Sequence, residues 1–568
     1  MRFLLPGVLR RLFSKIPSFS LSGRYSLAFL NITQFLGVIN DNVFKFVMAF
    51  LLIDALGHDK ASSILSATGA IYVIPFLFFS SSAGILADRF SKQKLLVVMK
   101  MAEMIVMTLA IFAFASKSVW GCYTLLFILS THSAMFGPSK YGIIPELVPK
   151  DTVSRANGLI TSFTYLAIII GTFLASFLTE ITDRHFIYIA IFCLLIAISG
   201  FFSAIAVKQT IAQGSKKKIN IFFVREIYET LKYTRTIPHL LPAIFGSAFF
   251  LMIGAFTQLN IIPFALQSLN LSEIAGGYLF LSTALGIALG SYLAGKASRK
   301  RVELGLSCMA GFGIALFFIL VALFPTSLYK VIAFLFMIGV LGGIFIVPFD
   351  TFIQLKSDDK KRGQTIAAAN FLSFTGVLIA SFALYFFNQV CELSSASSFG
   401  TMGGITMIVS LVLFVRLSDL SFAYFSRRVL HPLTRFKRPN VEALEKSSNV
   451  ILVMENASWK NALLLAGTLP NVHFFIPGGS KQMRWYHRFF YSIHSIPEET
   501  FEELISKAKD YLSQGIVPCL MLEKKLPQKQ QPTSNSFIDF FKRSPLQVLF
   551  ARVIADPAQG HLTIRFEK

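Results

Sequence analysis

The sequence predicts an all-α membrane protein, a twelve-helix bundle of two six-helix halves, followed by a small C-terminal α/β domain. Three observations carry that expectation. Apolar segments long enough to span a bilayer recur along residues 26–418, basic residues gather in alternate loops, and the two halves of that stretch echo each other. Of 568 residues, 54% are hydrophobic and only 15% charged, with 60 phenylalanines and 3 tryptophans. A soluble chain carries more charge and less apolar bulk. The formal net charge of +23 would suggest nucleic acid in a soluble protein. Here no nucleic-acid-binding motif is present, and a membrane explains the excess, so no nucleic-acid partner is expected.

A hydrocarbon core of about 30 Å takes about 20 apolar residues of helix. Segments of that kind lie at 26–53, 64–86, 95–116, 119–143, 156–180, 185–207, 238–265, 274–296, 303–324, 327–354, 363–388 and 398–418. The loops between them alternate in charge. Arg89, Lys92 and Lys94 lie between spans two and three, Lys216, Lys217, Lys218 and Arg225 between six and seven, Lys296 and Arg299–Arg301 between eight and nine, and Lys356, Lys360, Lys361 and Arg362 between ten and eleven. Basic loops stay in the cytosol, which puts both termini and the central loop (208–237) on the cytosolic side of the membrane. Residues 1–25, with Arg2, Arg10, Arg11 and Lys15 among Leu, Val and Phe, form a basic amphipathic segment without the long apolar stretch and cleavage site of a signal peptide. An interfacial helix on anionic lipid and a plain basic tail are both open readings.

The five cysteines (Cys122, Cys193, Cys308, Cys391, Cys519) are widely spaced and form no CxxC. They read as small apolar residues, not as a disulfide or metal framework, and neither a metal nor another cofactor is expected.

The two halves, 26–207 and 238–418, match at a nearly constant offset. Asp88–Lys94 parallels Gly295–Arg301, Pro138 parallels Pro348, and Arg155 parallels Arg362, at offsets of 207, 210 and 207 residues. That pattern predicts a duplicated unit whose halves rock about a site near the midplane.

The segment Gly84-Ile-Leu-Ala-Asp88-Arg89-Phe-Ser91-Lys92 resembles the loop signature of the major facilitator superfamily, with Ser91 in place of its usual second glycine. The resemblance implies the major facilitator fold and a loop that latches the cytosolic gate. A narrower resemblance rests on Asn40-Asp41-Asn42-Val-Phe-Lys45, Phe136-Gly-Pro-Ser-Lys140-Tyr141-Gly-Ile-Ile-Pro-Glu146, Ser154-Arg155-Ala-Asn-Gly158 and Arg301-Val-Glu303-Leu-Gly305. Together these are similar to the bacterial lysophospholipid transporter family. They imply facilitated movement of lysophospholipid, typically lysophosphatidylethanolamine, from the outer to the inner leaflet by alternating access.

Asp41 and Lys45 stand four residues apart in span one, hence on one helix face. A charge at membrane depth costs about 2.5–3.5 kcal/mol on insertion scales, so it faces a polar cavity or a partner. Asp41 is therefore expected to meet an amine or cation and Lys45 a phosphate; a mutual ion pair is the structural alternative. Gln34, Asn40 and Asn42 extend the polar region, and Gln258 and Asn260 in span seven either line the cavity opposite or bond between helices. Lys140 and Glu146 are expected near the cytosolic mouth, with Asp88, Arg89, Lys92, Arg155, Arg299, Arg301, Glu303 and Arg362 as further gate candidates on the strength of the resemblance.

After residue 420 the character changes. A basic linker (419–448) leads to a mixed pattern over 449–568, with strands at 449–454 and 516–521 and helices at 459–469 and 499–513. Glu455-Asn456-Ala-Ser458-Trp-Lys-Asn461-Ala-Leu-Leu-Leu resembles the glycerolipid acyltransferase motif Asn-His-x-Ser-Trp-x-Asp-x-Leu-Leu-Leu. That resemblance implies a degenerate domain: Asn456 stands where the family has its general-base His, Asn461 where it has Asp, and of the later Phe-Pro-Glu-Gly only Glu523 is retained. Neither amide titrates, so no enzyme is expected. Ser458 reads as a helix-start residue, and His494 with Glu499 repeats the lost spacing in what reads as a loop-to-helix context. Expected partners are the bilayer, a lysophospholipid substrate and an acyltransferase or acyl-carrier protein. A membrane-tethered acyltransferase and a transporter of a polar solute are the alternative readings.

Overall fold

The computed structural model describes residues 25–434 apart from breaks at 58–59, 218–222, 272 and 299–301, and, in the C-terminal part, residues 450–455, 459–469, 472–477, 493–496, 510–512, 517–522, 547–556 and 561–567. It contains 12 helices long and apolar enough to cross a membrane. They are α1 (Ser26–Leu56), α2 (Ala61–Arg89), α3 (Lys92–Ala115), α4 (Val119–Gly142), α5 (Val153–Ile181), α6 (Phe186–Ala206), α7 (Leu240–Leu269), α8 (Glu273–Ala297), α9 (Leu304–Leu323), α10 (Leu328–Lys356), α11 (Arg362–Tyr385) and α12 (Ser395–Arg416). Every expected span is present, with ends shifted by a few residues.

Local chemistry sets several of those ends. Ser91, the departure from the loop signature, is the N-cap of α3, its Oγ accepting from the Lys94 amide. Ser118 caps α4 in the same way, accepting from the Gly121 amide at 3.1 Å. A hydroxyl there satisfies a donor that the first turn of a helix leaves unpaired.

Phenylalanine fills the helix interfaces. Phe44 of α1 stacks on Phe114 of α3 at 5.6 Å between ring centroids. In the second half Phe399 of α12 receives Phe264 edge-on at 5.3 Å and Phe318 face-on at 5.9 Å. Other phenylalanines, among them Phe112, Phe173, Phe202 and Phe382, are exposed on helix flanks that are otherwise apolar, as lipid-facing positions are.

The central segment contains a feature the apolar-window reading passed over: an amphipathic helix, Phe223–Thr234, that buries Glu226, Ile227, Thr230 and Thr234 on one stripe. At twelve residues it is too short to register as a span. Its first ring, Phe223, touches Phe78 of α2 and Phe371 of α11, one from each half.

Two compact units emerge, one of residues 1–302 with 310–407, the other of 303–309 with 408–568. The second unit thus begins before the expected boundary at 449. Within it, the helix Ser418–Phe425 contributes Phe422 to a core with Val450, Leu452 and Met454, and His431 Nε2 lies 3.3 Å from the Leu464 carbonyl. The core is a 6-stranded sheet of order β3-β2-β4-β1-β5-β6. Its strands are β1 (Val450–Glu455), β2 (Val472–Pro477), β3 (Ile493–Ile496), β4 (Val517–Leu522), β5 (Gln547–Asp556) and β6 (His561–Glu567), with α13 (Trp459–Thr468) after β1. All pairings are parallel except β5 with β6. In β1 consecutive residues Val450 to Met454 are all buried, as a parallel strand covered on both faces requires. His494 lies in β3, not in a loop. Burial of Cys519 in β4 pushes its thiol well above the usual range. The helix expected at 499–513 lies mostly outside the described residues.

Candidate transport site

Charge in the bundle interior is arranged in three places. The first surrounds Asp41, which is buried and about 22 Å along α1 from its start at the usual helical rise. Ser133 of α4 donates to Asp41 Oδ2 at 2.7 Å, and the other carboxylate oxygen has no hydrogen-bond partner. Lys45 does not pair with Asp41. Its ammonium lies over the rings of Phe46 and Tyr72, 4.6 and 5.2 Å from their centroids. The mutual ion pair considered from sequence is therefore not formed.

Lys140, two residues before the end of α4, is buried and belongs electrostatically with this group. Its ammonium sits 4.4 Å over the Tyr141 ring, within electrostatic reach of Asp41 and of Asp350 in α10. Asp350 is half-buried and accepts from Ser247 of α7 at 2.8 Å, and Tyr141 and Tyr165 lie within reach of its charge. Sequence reading missed Asp350, although an acid two residues after Pro348 in an apolar run was a visible signal.

The second place is a sealed cluster, also missed. Lys100 and Glu103 of α3 pair at 2.6 Å with almost no exposure. Asn40 of α1 donates to Glu103 Oε1 at 2.8 Å, and His132 of α4 approaches at 3.8 Å. Gly37 makes room: a Cβ there would come within 2.6 Å of the Lys100 ammonium. Asn40, expected beside the pathway, is wholly buried in this cluster.

Of the other expected pathway residues, Gln34 is tied at both ends to α5, donating to the Ile160 carbonyl at 2.9 Å and accepting from Thr164 at 2.9 Å. Asn42 donates to its own helix at Val38. Asn260 is fully buried and donates to the Ser395 carbonyl at 2.9 Å, while Gln258 is exposed.

The third place joins the two halves. Asp88, fully buried at the end of α2, accepts from the Gly363 amide at 2.6 Å and from the amide and side chain of Gln364 at 3.0 Å each. A carboxylate thus caps the N-terminus of α11, where the free N–H groups and the helix dipole favour negative charge. Close approach makes this possible. A Cβ on Gly84 would come within 2.6 Å of Ala367 Cβ, and one on Gly363 within 2.6 Å of the Gly84 carbonyl. The second crossing has the same character: a Cβ on Gly158 of α5 would come within 2.9 Å of Gly295 Cα in α8. Duplication relates the two crossings, α2 to α8 and α5 to α11, but Gly295 occupies the position of Asp88, so only one helix start receives a carboxylate. Beside them Asn157 of α5 bonds to Thr351 and Gln354 of α10, at 3.0 and 3.1 Å, all three buried.

The remaining gate candidates have other partners. Lys92 pairs with Glu146 at 2.6 Å, within the first half. Arg89 donates to the carbonyls of Ser215 and Lys217 in the central segment. Arg362 donates to the Gln354 carbonyl at 2.8 Å and pairs with Asp359. Arg155 is exposed. Glu303 pairs with Arg427 at 3.2 Å inside the second unit. Arg299 and Arg301 lie outside the described residues, as do Asn456, Ser458 and Glu523; Asn461 is half-buried in α13.

Two helical halves crossing at paired glycines, with charge held in the interior between them, define a transporter of duplicated design. The Major Facilitator Superfamily matches residues 30–381, and the chain belongs to that family. Among curated proteins it is similar to the lysophospholipid transporter LplT of Salmonella typhimurium, 25% identical over 366 residues, which cover 62% of this chain and 86% of that protein. The LplT of Salmonella enteritidis aligns to the same extent. Solved structures of like fold include the human organic anion transporter MFSD10, with TM-score 0.60 and 13% identity over 69% of this chain and 100% of that one. The Escherichia coli fucose:proton symporter FucP aligns with TM-score 0.55 and 14% identity over 69% of this chain and 99% of that one.

Proposed function

We propose that this protein moves lysophospholipid, such as lysophosphatidylethanolamine, from the outer to the inner leaflet of a bacterial inner membrane by alternating access. The observation that carries the reading is the similarity to LplT over most of that protein's length, joined to an interior that holds Asp41, Lys45 and Lys140 in the first half and Asp350 in the second. Asp41 meets the head group, the acyl chain follows the apolar flank of the bundle, and the Asp88 latch closes the cytosolic end. Both termini are cytosolic in this reading, as the basic loops require. The C-terminal unit is a non-catalytic relative of the glycerolipid acyltransferases, held near the leaflet where lysolipid arrives.

The test is reconstitution of the full chain in vesicles with labelled lysophosphatidylethanolamine in the outer leaflet. Lipid should become protected at a rate well above protein-free vesicles, and amino acids, sugars and nucleotides should not compete. Asp41→Asn should reduce the rate at least tenfold at equal reconstitution. Undiminished transport by that variant removes Asp41 from the site; competition by a polar solute with no lipid movement overturns the lipid reading.

A further inference from the structure

The helix Phe223–Thr234 presents two stripes of opposite character. One is buried, through Glu226, Ile227, Thr230 and Thr234, and Lys217 pairs with Glu226 beneath it. The other is exposed: Val224, Tyr228 and Lys232 follow at four-residue steps, then Arg235, whose amide still bonds to the Leu231 carbonyl at 3.2 Å. Neither Lys232 nor Arg235 has an ion-pair partner among the described residues, whereas Arg225 on the flank is taken by Glu229 at 3.1 Å. The buried side fixes how the helix stands against the bundle. Phe223 meets Phe78 of α2 at 5.3 Å and Phe371 of α11 at 6.1 Å between ring centroids. Beside it Phe76 of α2 stacks on Phe374 of α11 at 3.9 Å, so the two helices close on each other and Phe223 lies over their seam. Phe78 and Phe371 stand about 14–16 Å inside the helix ends at Arg89 and Arg362, at the usual helical rise. At the other end of the short helix, the ammonium of Lys361, the residue before α11, lies 3.8 Å from the Tyr233 ring centroid. The helix therefore runs alongside α11, with Val224 and Tyr228 at the deeper level and Lys232 and Arg235 level with the helix ends.

That gradient is the one a bilayer margin demands, apolar and aromatic side chains toward the acyl chains and cations at the phosphates. Resting on the cytosolic placement of this end proposed above, the geometry points to the exposed stripe as a binding site for anionic phospholipid of the cytosolic leaflet. Lys232 and Arg235 take lipid phosphate, and Tyr228 and Val224 rest against the upper part of the acyl chains. A zwitterionic lipid offers the same phosphate with its own cation beside it, so two unpaired basic side chains favour the anionic lipid. The site is held against both halves by its buried side, through Phe223 and the Tyr233 ring.

The experiment places a reporter on the stripe. Tyr228→Trp in the purified full chain is read by fluorescence against the unmodified chain, whose 3 tryptophans supply the background. Tyr228 is exposed, so the change disturbs no packing. The chain is reconstituted in phosphatidylcholine vesicles holding the same mole fraction of phosphatidylglycerol throughout, with bromine on the acyl chains of either the glycerol lipid or an equal amount of the choline lipid. One basic side chain at an anionic surface is worth about fivefold in affinity, so the brominated phosphatidylglycerol should quench the added tryptophan about twofold more strongly or better. Adding Lys232→Gln and Arg235→Gln, both at exposed positions, should bring the two quenchers to equality while leaving quenching by the choline lipid in place. Equal quenching by the two lipids before those changes overturns the site, as does an excess that survives them. Absence of quenching by either lipid also overturns it, because the stripe then faces water. The anionic lipid is present in both leaflets, so each of these results counts against the site and not against the cytosolic placement, and none depends on transport.

Discussion

Single side chains in this bundle separate into those that hold it and those that face its interior, and burial with partners tells them apart. Asn40 and Asp41 are neighbours in sequence, yet their side chains leave the helix about 100° apart, and one enters the Lys100–Glu103 cluster while the other meets Ser133. Glu103 is held by an ammonium, an amide and an imidazole with no exposure, so its role is structural. Glu103→Gln would leave Lys100 charged and unpaired in a dry site. Breaking one side of a buried pair costs about 3–5 kcal/mol, whereas apolar replacement of both is nearly neutral. Glu103→Gln should therefore lower the thermal unfolding midpoint in detergent clearly, and Lys100→Met with Glu103→Met should recover most of it. A Glu103→Gln protein that unfolds with the unmodified one would show that the cluster does not hold the first half together.

Helix ends and crossings carry the conformational logic. Two glycine-on-glycine contacts let backbones approach, and the Asp88 carboxylate then reaches across to the start of α11. On the proposed alternating-access reading, that contact forms only when the halves meet at this end, and Asp88 then acts on the equilibrium between states and not on the ligand. A charge at a partly buried helix terminus contributes up to about 2 kcal/mol. Asp88→Asn should slow lipid movement several-fold while leaving lysolipid binding in detergent within about twofold. Lost binding with unchanged turnover would assign Asp88 to the ligand instead. The helix Phe223–Thr234, absent from the sequence reading, sets Phe223 against both α2 and α11 at the same junction.

At the scale of the whole molecule, the chain joins a major facilitator bundle to a unit with its own α/β core. The buried strands β1 and β4 and the apolar side of α13 form a sheet core that needs no catalytic residue. On the proposed reading of this unit as a non-catalytic relative of the glycerolipid acyltransferases, Asn456 and Asn461 stand where that family has His and Asp, and a lost general base is typically worth 10²–10⁴-fold. The full chain should show no acyl transfer from acyl-CoA or acyl-carrier protein to lysophospholipid above background by mass spectrometry, beside Asn456→His/Asn461→Asp as comparison. Robust turnover by the unmodified chain would make it an enzyme.

The sequence by itself determined the number of membrane-spanning helices, their positions, the duplication, and two strands of the C-terminal unit, β1 and β4; the other four strands and the pairing came from the structure. Each feature read from the sequence follows from hydrophobic pattern, because the cost of exposing backbone to lipid or apolar side chains to water is local and additive along the chain. It also marked Asp41, since a charge in an apolar run is conspicuous. Only the tertiary structure decided what each polar side chain meets. It gave Asn40 to Glu103 and Glu303 to Arg427, left Asp41 and Lys45 without an ion pair between them, and brought Asp350 within reach of Lys140. Spacing along one helix fixes only which residues share a face. Partners on other helices depend on crossing angles and close approaches at glycine, which are set by packing among residues 63 to 275 positions apart.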